Sequence, residues 1–143
     1  MRHAPKEDAE TLMNMLVPFA EKMLREHGEF YPYGGAMLPD GSMTMTGAYN
    51  GNEHPSSKEL YDLMVKAFKE EARTGKYKAT GIVYDGMAVP PGATEKTDVI
   101  AIRLDHEAGY SVVVMIPYKL VSGDLVKGAV FASKGDGDIF PVH

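Results

Sequence analysis

A chain of 143 residues, 44% hydrophobic and 24% charged, has ordinary globular composition and enough length to bury a core. A net charge of −5 argues against sequence-independent nucleic-acid binding, which needs clustered lysine and arginine. The lack of cysteine excludes disulfides, thiol catalysis and Cys-ligated zinc or iron–sulfur centres. No apolar run approaches the ~20 residues of a membrane helix, and no basic segment followed by an apolar run marks a signal peptide. The expectation is a cytoplasmic chain that binds neither membrane nor nucleic acid. Ten methionines and no tryptophan point to an adaptable core or to thioethers exposed at a contact surface.

Residues 1–5 are expected to be flexible. Lys6 to His27 has helical spacing: Leu12, Leu16, Phe19 and Met23 recur on one face, widened by Met15, Ala20 and Leu24. Pro18 interrupts it, which predicts a kink near Asn14–Val17 or two shorter helices. Glu29–Leu38 and Ser42–Tyr49 read as a hairpin turning at Pro39-Asp40-Gly41. The pair Gly34-Gly35 predicts a bulge or the close approach of another backbone. Ser56 and Glu59 have capping-box spacing before a second helix running to about Thr74. Its predicted buried stripe is Leu60, Leu63, Met64, Ala67, Phe68 and Ala72.

Tyr77–Met87 alternates as a strand, and the proline-rich segment 88–97 is expected to project as a loop. Asp98–Tyr118 reads as the centre of the fold: two long strands around a turn at Glu107-Ala108-Gly109. The first has a polar end on one face and is expected to be partly solvated. The second is apolar on both faces through its middle, as an interior strand would be, with Val114 in the core. Leu125–Ser133 is the last predicted strand. Residues 134–143 are expected to be flexible, with Ile139-Phe140 able to dock the tail.

The predicted order is α-β-β-α-β-β-β-β. It describes one α+β domain over 1–143, with a mostly antiparallel sheet of five to six strands and two main helices packed on it. This element order resembles that of the roadblock and profilin-like folds. The phrases GEFYPYGGAM, EARTGKYKATGIVYD and GYSVVVMIPY are similar to those of small uncharacterised bacterial proteins, over residues 28–134. That resemblance implies a bacterial, cytoplasmic chain and attaches no activity to it.

No catalytic signature is present. There is no G-x-S-x-G elbow, no phosphate loop and no dinucleotide fingerprint. His3, His27, His54, His106 and His143 have no metal-ligand spacing, and Asp136-Gly137-Asp138 lacks the rest of a calcium loop. No cofactor, catalytic residue or metal ligand is assigned.

Two clusters remain as candidate binding residues. Tyr31, Tyr33, Tyr49 and His54 surround the first hairpin and its exit loop, where rings with polar tips suit an interface or small-ligand groove. Packing of the tyrosines on helix one, hydroxyls at the surface, is the simpler expectation. Glu95, Lys96, Asp98, Arg103 and Asp105 gather near the long loop and the first central strand. Arg103 and Asp105 share a strand face two residues apart and could pair with cross-strand neighbours or bind a charged partner, a solvated face with ordinary ion pairs being the simpler expectation. The functional expectation is a non-enzymatic protein-binding or dimerisation module, adaptor- or immunity-like, with a protein partner or a second copy. The alternative is a small-molecule sensor or enzyme with a pocket between helix one and the sheet.

Overall fold

The computed structural model describes residues 4–47 and 56–141. Two helices and seven strands follow one another as α1 (Pro5–His27), β1 (Tyr33–Met37), β2 (Met43–Gly47), α2 (Ser57–Ala72), β3 (Ala79–Ala88), β4 (Thr97–His106), β5 (Ser111–Val121), β6 (Asp124–Lys127) and β7 (Phe131–Lys134). The class is α+β and every strand pairing is antiparallel, in the order β2-β1-β3-β4-β5-β6 with β7 also on β5. The sheet is one strand larger than expected because Leu125–Ser133 is divided. Pro117 has no N–H to donate to the outer neighbour of β5, and Gly128 N–H bonds its carbonyl at 2.7 Å. The pairing advances by one residue between Tyr118↔Lys127 and Met115↔Phe131, so β6 and β7 lie end to end around a bulge.

α1 and α2 cover opposite faces of the sheet. A Cβ at Gly34 would approach Met64 and Phe68 of α2, whereas one at Gly35 would approach Leu16 and Met15 of α1. Adjacent strand residues point to opposite faces, so one glycine serves each helix. The close approach is real at both positions: the same Cβ atoms would sit 2.7 Å from the Gly81 carbonyl and 2.5 Å from that of Thr44. Pairing runs through both glycines without a bulge.

α1 buries Leu12, Leu16, Ala20 and Leu24 at four-residue spacing, together with Ala9 and, at its first turn, Asp8. Each buried leucine contributes ~1.5–3 kcal/mol by removal from water. The helix is continuous through Pro18, and two shorter helices do not form. The Tyr33 hydroxyl accepts from Ala20 N–H at 3.0 Å and donates to the Leu16 carbonyl at 2.5 Å. A regular helix would join those two groups directly, so the phenol is inserted in the ladder beside the proline and satisfies both. α2 is capped as expected, Ser56 Oγ accepting from Glu59 N–H at 3.1 Å. Its buried rib is narrower than predicted: Leu60, Met64, Phe68 and Ala72 are buried, while Leu63 and Ala67 are exposed.

The burial of the central hairpin is the reverse of the expectation. β4 is buried from Val99 through His106, whereas β5 is half-buried over Ser111–Met115, Val114 included, and exposed from Lys119 to Val121. α1 packs on β3 and β4 on one face. On the other, Arg103 and Asp105 are roofed by Tyr61 and the tail, where Ile139 and Phe140 join the α2-side core. Polar residues at the end of β4 are buried because they are paired.

Candidate functional site

β2 occupies one edge of the sheet and all five of its residues, Met-Thr-Met-Thr-Gly, are exposed. Its hydrogen-bond phase follows from the turn. Leu38 N–H donates to the Ser42 carbonyl at 2.8 Å, which makes Ala36↔Thr44 and Gly34↔Thr46 the bonded pairs of the β1–β2 ladder. The backbone groups of Met43, Met45 and Gly47 therefore point outward. Among the described residues no other strand pairs with them, and the Gly47 carbonyl receives only the Thr46 hydroxyl.

The side chains of Met43 and Met45 lie on the α1 face, opposite Met37 and Gly35. Met15, Phe19 and Met23 recur four residues apart along the neighbouring flank of α1, and Met15 Cε would lie 3.4 Å from a Cβ at Gly35. Two methionines on the strand and a Met-Phe-Met rib on the helix therefore stand on the same side of the sheet. Phe19 is 40% exposed and Met45 45%. At the Gly47 end of β2 lies a cleft of about 410 Å3 lined by Phe19, Met23, His27, Phe30, Tyr31, Tyr33 and Gly47, together with Glu29 and Pro32. Phe19 and Phe30 both stand edge-on to Tyr33, at 4.9 and 6.0 Å.

Of the predicted site residues, Tyr31 and Tyr33 meet in this cleft. Tyr31 is half exposed and lines the cleft. Tyr33 packs on helix one as the simpler expectation held, but its hydroxyl is buried in the helix and not at the surface. Burial pushes its pKa up, with Ala20 N–H opposing and Glu21 adding to the shift. His54 and Tyr49 lie outside the described residues.

Arg103 and Asp105 pair with each other, Nε to Oδ2 at 3.0 Å. The guanidinium also reaches the Tyr61 hydroxyl at 3.2 Å and the Asp138 carboxylate, and Asp138 meets Lys69 at 2.9 Å. Asp105 Oδ1 accepts from Ser111 Oγ at 2.8 Å. Burial pushes the Asp105 carboxyl up against the pull of Ser111 and Arg103, and Lys69 followed by Arg103 holds Asp138 below the ordinary range. Two cations and two carboxylates balance, Arg103 and Asp105 buried and Lys69 and Asp138 at the surface. This network fastens α2, β4 and the tail together, and Arg103 presents no free donor fork to a ligand.

Other polar groups escaped the sequence. Tyr118 donates to Asp85 Oδ1 at 2.6 Å across β4, and burial raises that carboxyl while Asp98 and Glu29 add to the rise. Asp8 meets His106 Nε2 at 2.8 Å and Lys78 Nζ at 3.4 Å; Ala108 N–H donates to His106 Nδ1, leaving Nε2 to donate to Asp8. Burial would raise Asp8, but His106 and Lys78 outweigh it and hold the carboxyl below its usual range. These pairs join residues up to 98 positions apart, and no local pattern announces them. Phe19, Met43 and Met45 carried a signal, apolar residues on an element with an exposed face, yet it reads equally as core.

A second cleft, about 650 Å3, lies at the opposite edge between Pro90-Pro91 and Ala129–Phe131, with Glu95, Lys96 and Lys119 at its rim. Among the described residues no three metal-ligating side chains converge, and no helix is long and apolar enough to cross a membrane. Comparison with protein-family models, with curated proteins and with solved structures returns no match.

Proposed function

We propose that this chain is a non-enzymatic interaction module that binds another polypeptide by strand addition at β2. One observation carries the reading: β2 offers an outward row of backbone donors and acceptors at Met43, Met45 and Gly47 with no charge and no proline on the strand. Natural edge strands are usually blunted by such residues, because an open edge templates pairing. The exposed Met43, Met45 and Phe19 side chains supply adaptable apolar contact for a partner's side chains. Size and acidity are consistent with an adaptor- or immunity-like role in a bacterium.

The test selects displayed, unstructured peptides on the immobilised chain and repeats binding on Met45→Pro. The Met45 N–H points outward, so proline there removes an edge donor without touching the β1 ladder. Enrichment of peptides with alternating apolar residues, lost in the variant, is the expected result. No enrichment, together with a strictly monomeric chain, would sink the reading.

A second reading, a small-ligand site beside helix one, is supported by the aromatic cleft of about 410 Å3. It is confined to the C-terminal half of α1, because Leu12, Leu16 and Ala20 fill the space beneath the rest. A rise in melting temperature with a metabolite, absent in Phe30→Ala, would favour it.

A further inference from the structure

We infer that two copies pair β2 to β2 antiparallel, about a two-fold axis through Met45, and that Met43 of each copy enters the aromatic cleft of the other. The inference rests on the strand-addition reading and commits it to one partner and one register.

Three features favour self-pairing. The outward-facing residues, Met43, Met45 and Gly47, are symmetric about Met45, so an antiparallel copy centred there aligns Met43 with Gly47 and Met45 with itself. Each aligned pair falls in the hydrogen-bonded phase, and three such pairs exchange six N–H···O bonds. The opposite face also matches. Thr44 falls opposite Thr46 of the second copy, the threonine pairing that antiparallel sheets favour.

The third feature is the fit of one side chain. Met43 of the second copy lies beside Gly47, on the α1 face. Gly47 has open space where a Cβ would stand, and it lines the cleft with Phe19, Tyr31 and Tyr33. A flexible thioether against ring edges is a favourable contact, and glycine at position 47 leaves it room. A strand displaced by one residue would turn its methionines to the threonine face. The cleft of one copy thus receives a side chain of the other beside Gly47.

The absence of cysteine makes the register readable. Single variants Met43→Cys, Met45→Cys and Gly47→Cys of the full chain are oxidised, and the wild type is weighed by light scattering up to about 0.5 mM. The wild type should reach twice the 15.6 kDa chain mass. Met45→Cys should crosslink with itself at least ~10-fold faster than either other variant alone, because bonded partners stand ~5.5 Å apart at Cα, within disulfide reach. Met43→Cys and Gly47→Cys should crosslink only when mixed, since each is separated from its own copy by ~13 Å of strand. Met43→Ala should weaken the dimer ~10-fold and Met45→Pro ~100-fold, with far-UV circular dichroism unchanged. Should the proline variant not fold, the cysteine series decides alone.

Faster self-crosslinking at 43 or 47 than at 45 would overturn the register, and with it the inference. A dimer indifferent to Met43→Ala, with no crosslinking at any of the three sites, would overturn the interface. A monomer at every concentration that still takes selected peptides in a Met45→Pro-sensitive way would overturn self-pairing alone. Loss of both would remove the strand-addition reading as well.

Discussion

The two edges of the sheet are built on opposite principles. β2 is uninterrupted, uncharged and continuous with the β1 ladder. The far edge is cut into two four-residue strands by the Pro117–Gly128 bulge and carries Asp124, Lys127 and Lys134. It is not polar throughout, since Val126 and Val130 are more than half exposed. Its protection comes from shortness, a break in register and interspersed charge. Apolar surface alone therefore does not distinguish the two edges; an unbroken row of outward amides does. Strand addition needs several consecutive bonded pairs in one phase, which the bulge removes at one edge and the glycine-backed hairpin preserves at the other.

The largest expected effect comes from unseating the open edge. A side chain at Gly35 would drive into the Thr44 carbonyl and Leu16. Gly35→Val should cost ~3 kcal/mol or more, a large fraction of the ~5–15 kcal/mol that holds a domain folded. Denaturant melts read it, and a variant as stable as the parent would mean that the hairpin is not clamped as described. At the far edge, Gly128→Ala meets Pro117 Cβ at 3.2 Å, a contact a small shift relieves, and should cost under ~1 kcal/mol.

Next is acid. Asp8 is held below its ordinary pKa, so its contribution is full above the unfolded value and is lost as pH falls through the folded one. Asp8→Asn should therefore lose on the order of 2 kcal/mol at pH 7, with the gap to the parent closing below about pH 4. Comparing the two proteins isolates Asp8 from Asp85 and Asp105, whose raised pKa values act in the opposite sense. β2 has no titratable side chain, so association through it should be flat between about pH 7.5 and 9 in sedimentation. A steep dependence there would move the interface elsewhere. The smallest effect is expected at Val126→Lys. Adding charge to an edge that is already blunted should change stability by no more than ~0.5 kcal/mol and leave the oligomeric state alone.

Much of the architecture was legible because it is local. Alternation, the Ser56 cap, the turns at Gly41 and Gly109 and the close approach at Gly34-Gly35 all follow from a few adjacent residues. The distribution of burial between β4 and β5 was not. Arg103, Asp105 and His106 look solvated in sequence, and they are buried only because Asp138, Tyr61 and Asp8 arrive from distant positions to pair with them. Val112, Val113 and Val114 look like core, but β5 is flanked by a short, broken outer edge that cannot cover it. Tyr31 and Tyr33 stand out in sequence as part of a cluster with Tyr49 and His54; Phe19, Met43 and Met45 do not, because exposure depends on which edge a strand occupies.

The insertion of Tyr33 into α1 has a consequence for how the molecule assembles. An isolated α1 peptide carries the full penalty of Pro18, ~3 kcal/mol, with no phenol to bridge Ala20 to Leu16. The helix can be complete only once β1 is laid against it, so the first helix and the first hairpin form one cooperative unit although Gly28–Pro32 separates them. The Ala20 amide then becomes a clock for that union. Its hydrogen-exchange protection should match that of the β1 amides, and in Tyr33→Phe it should fall ahead of its helical neighbours.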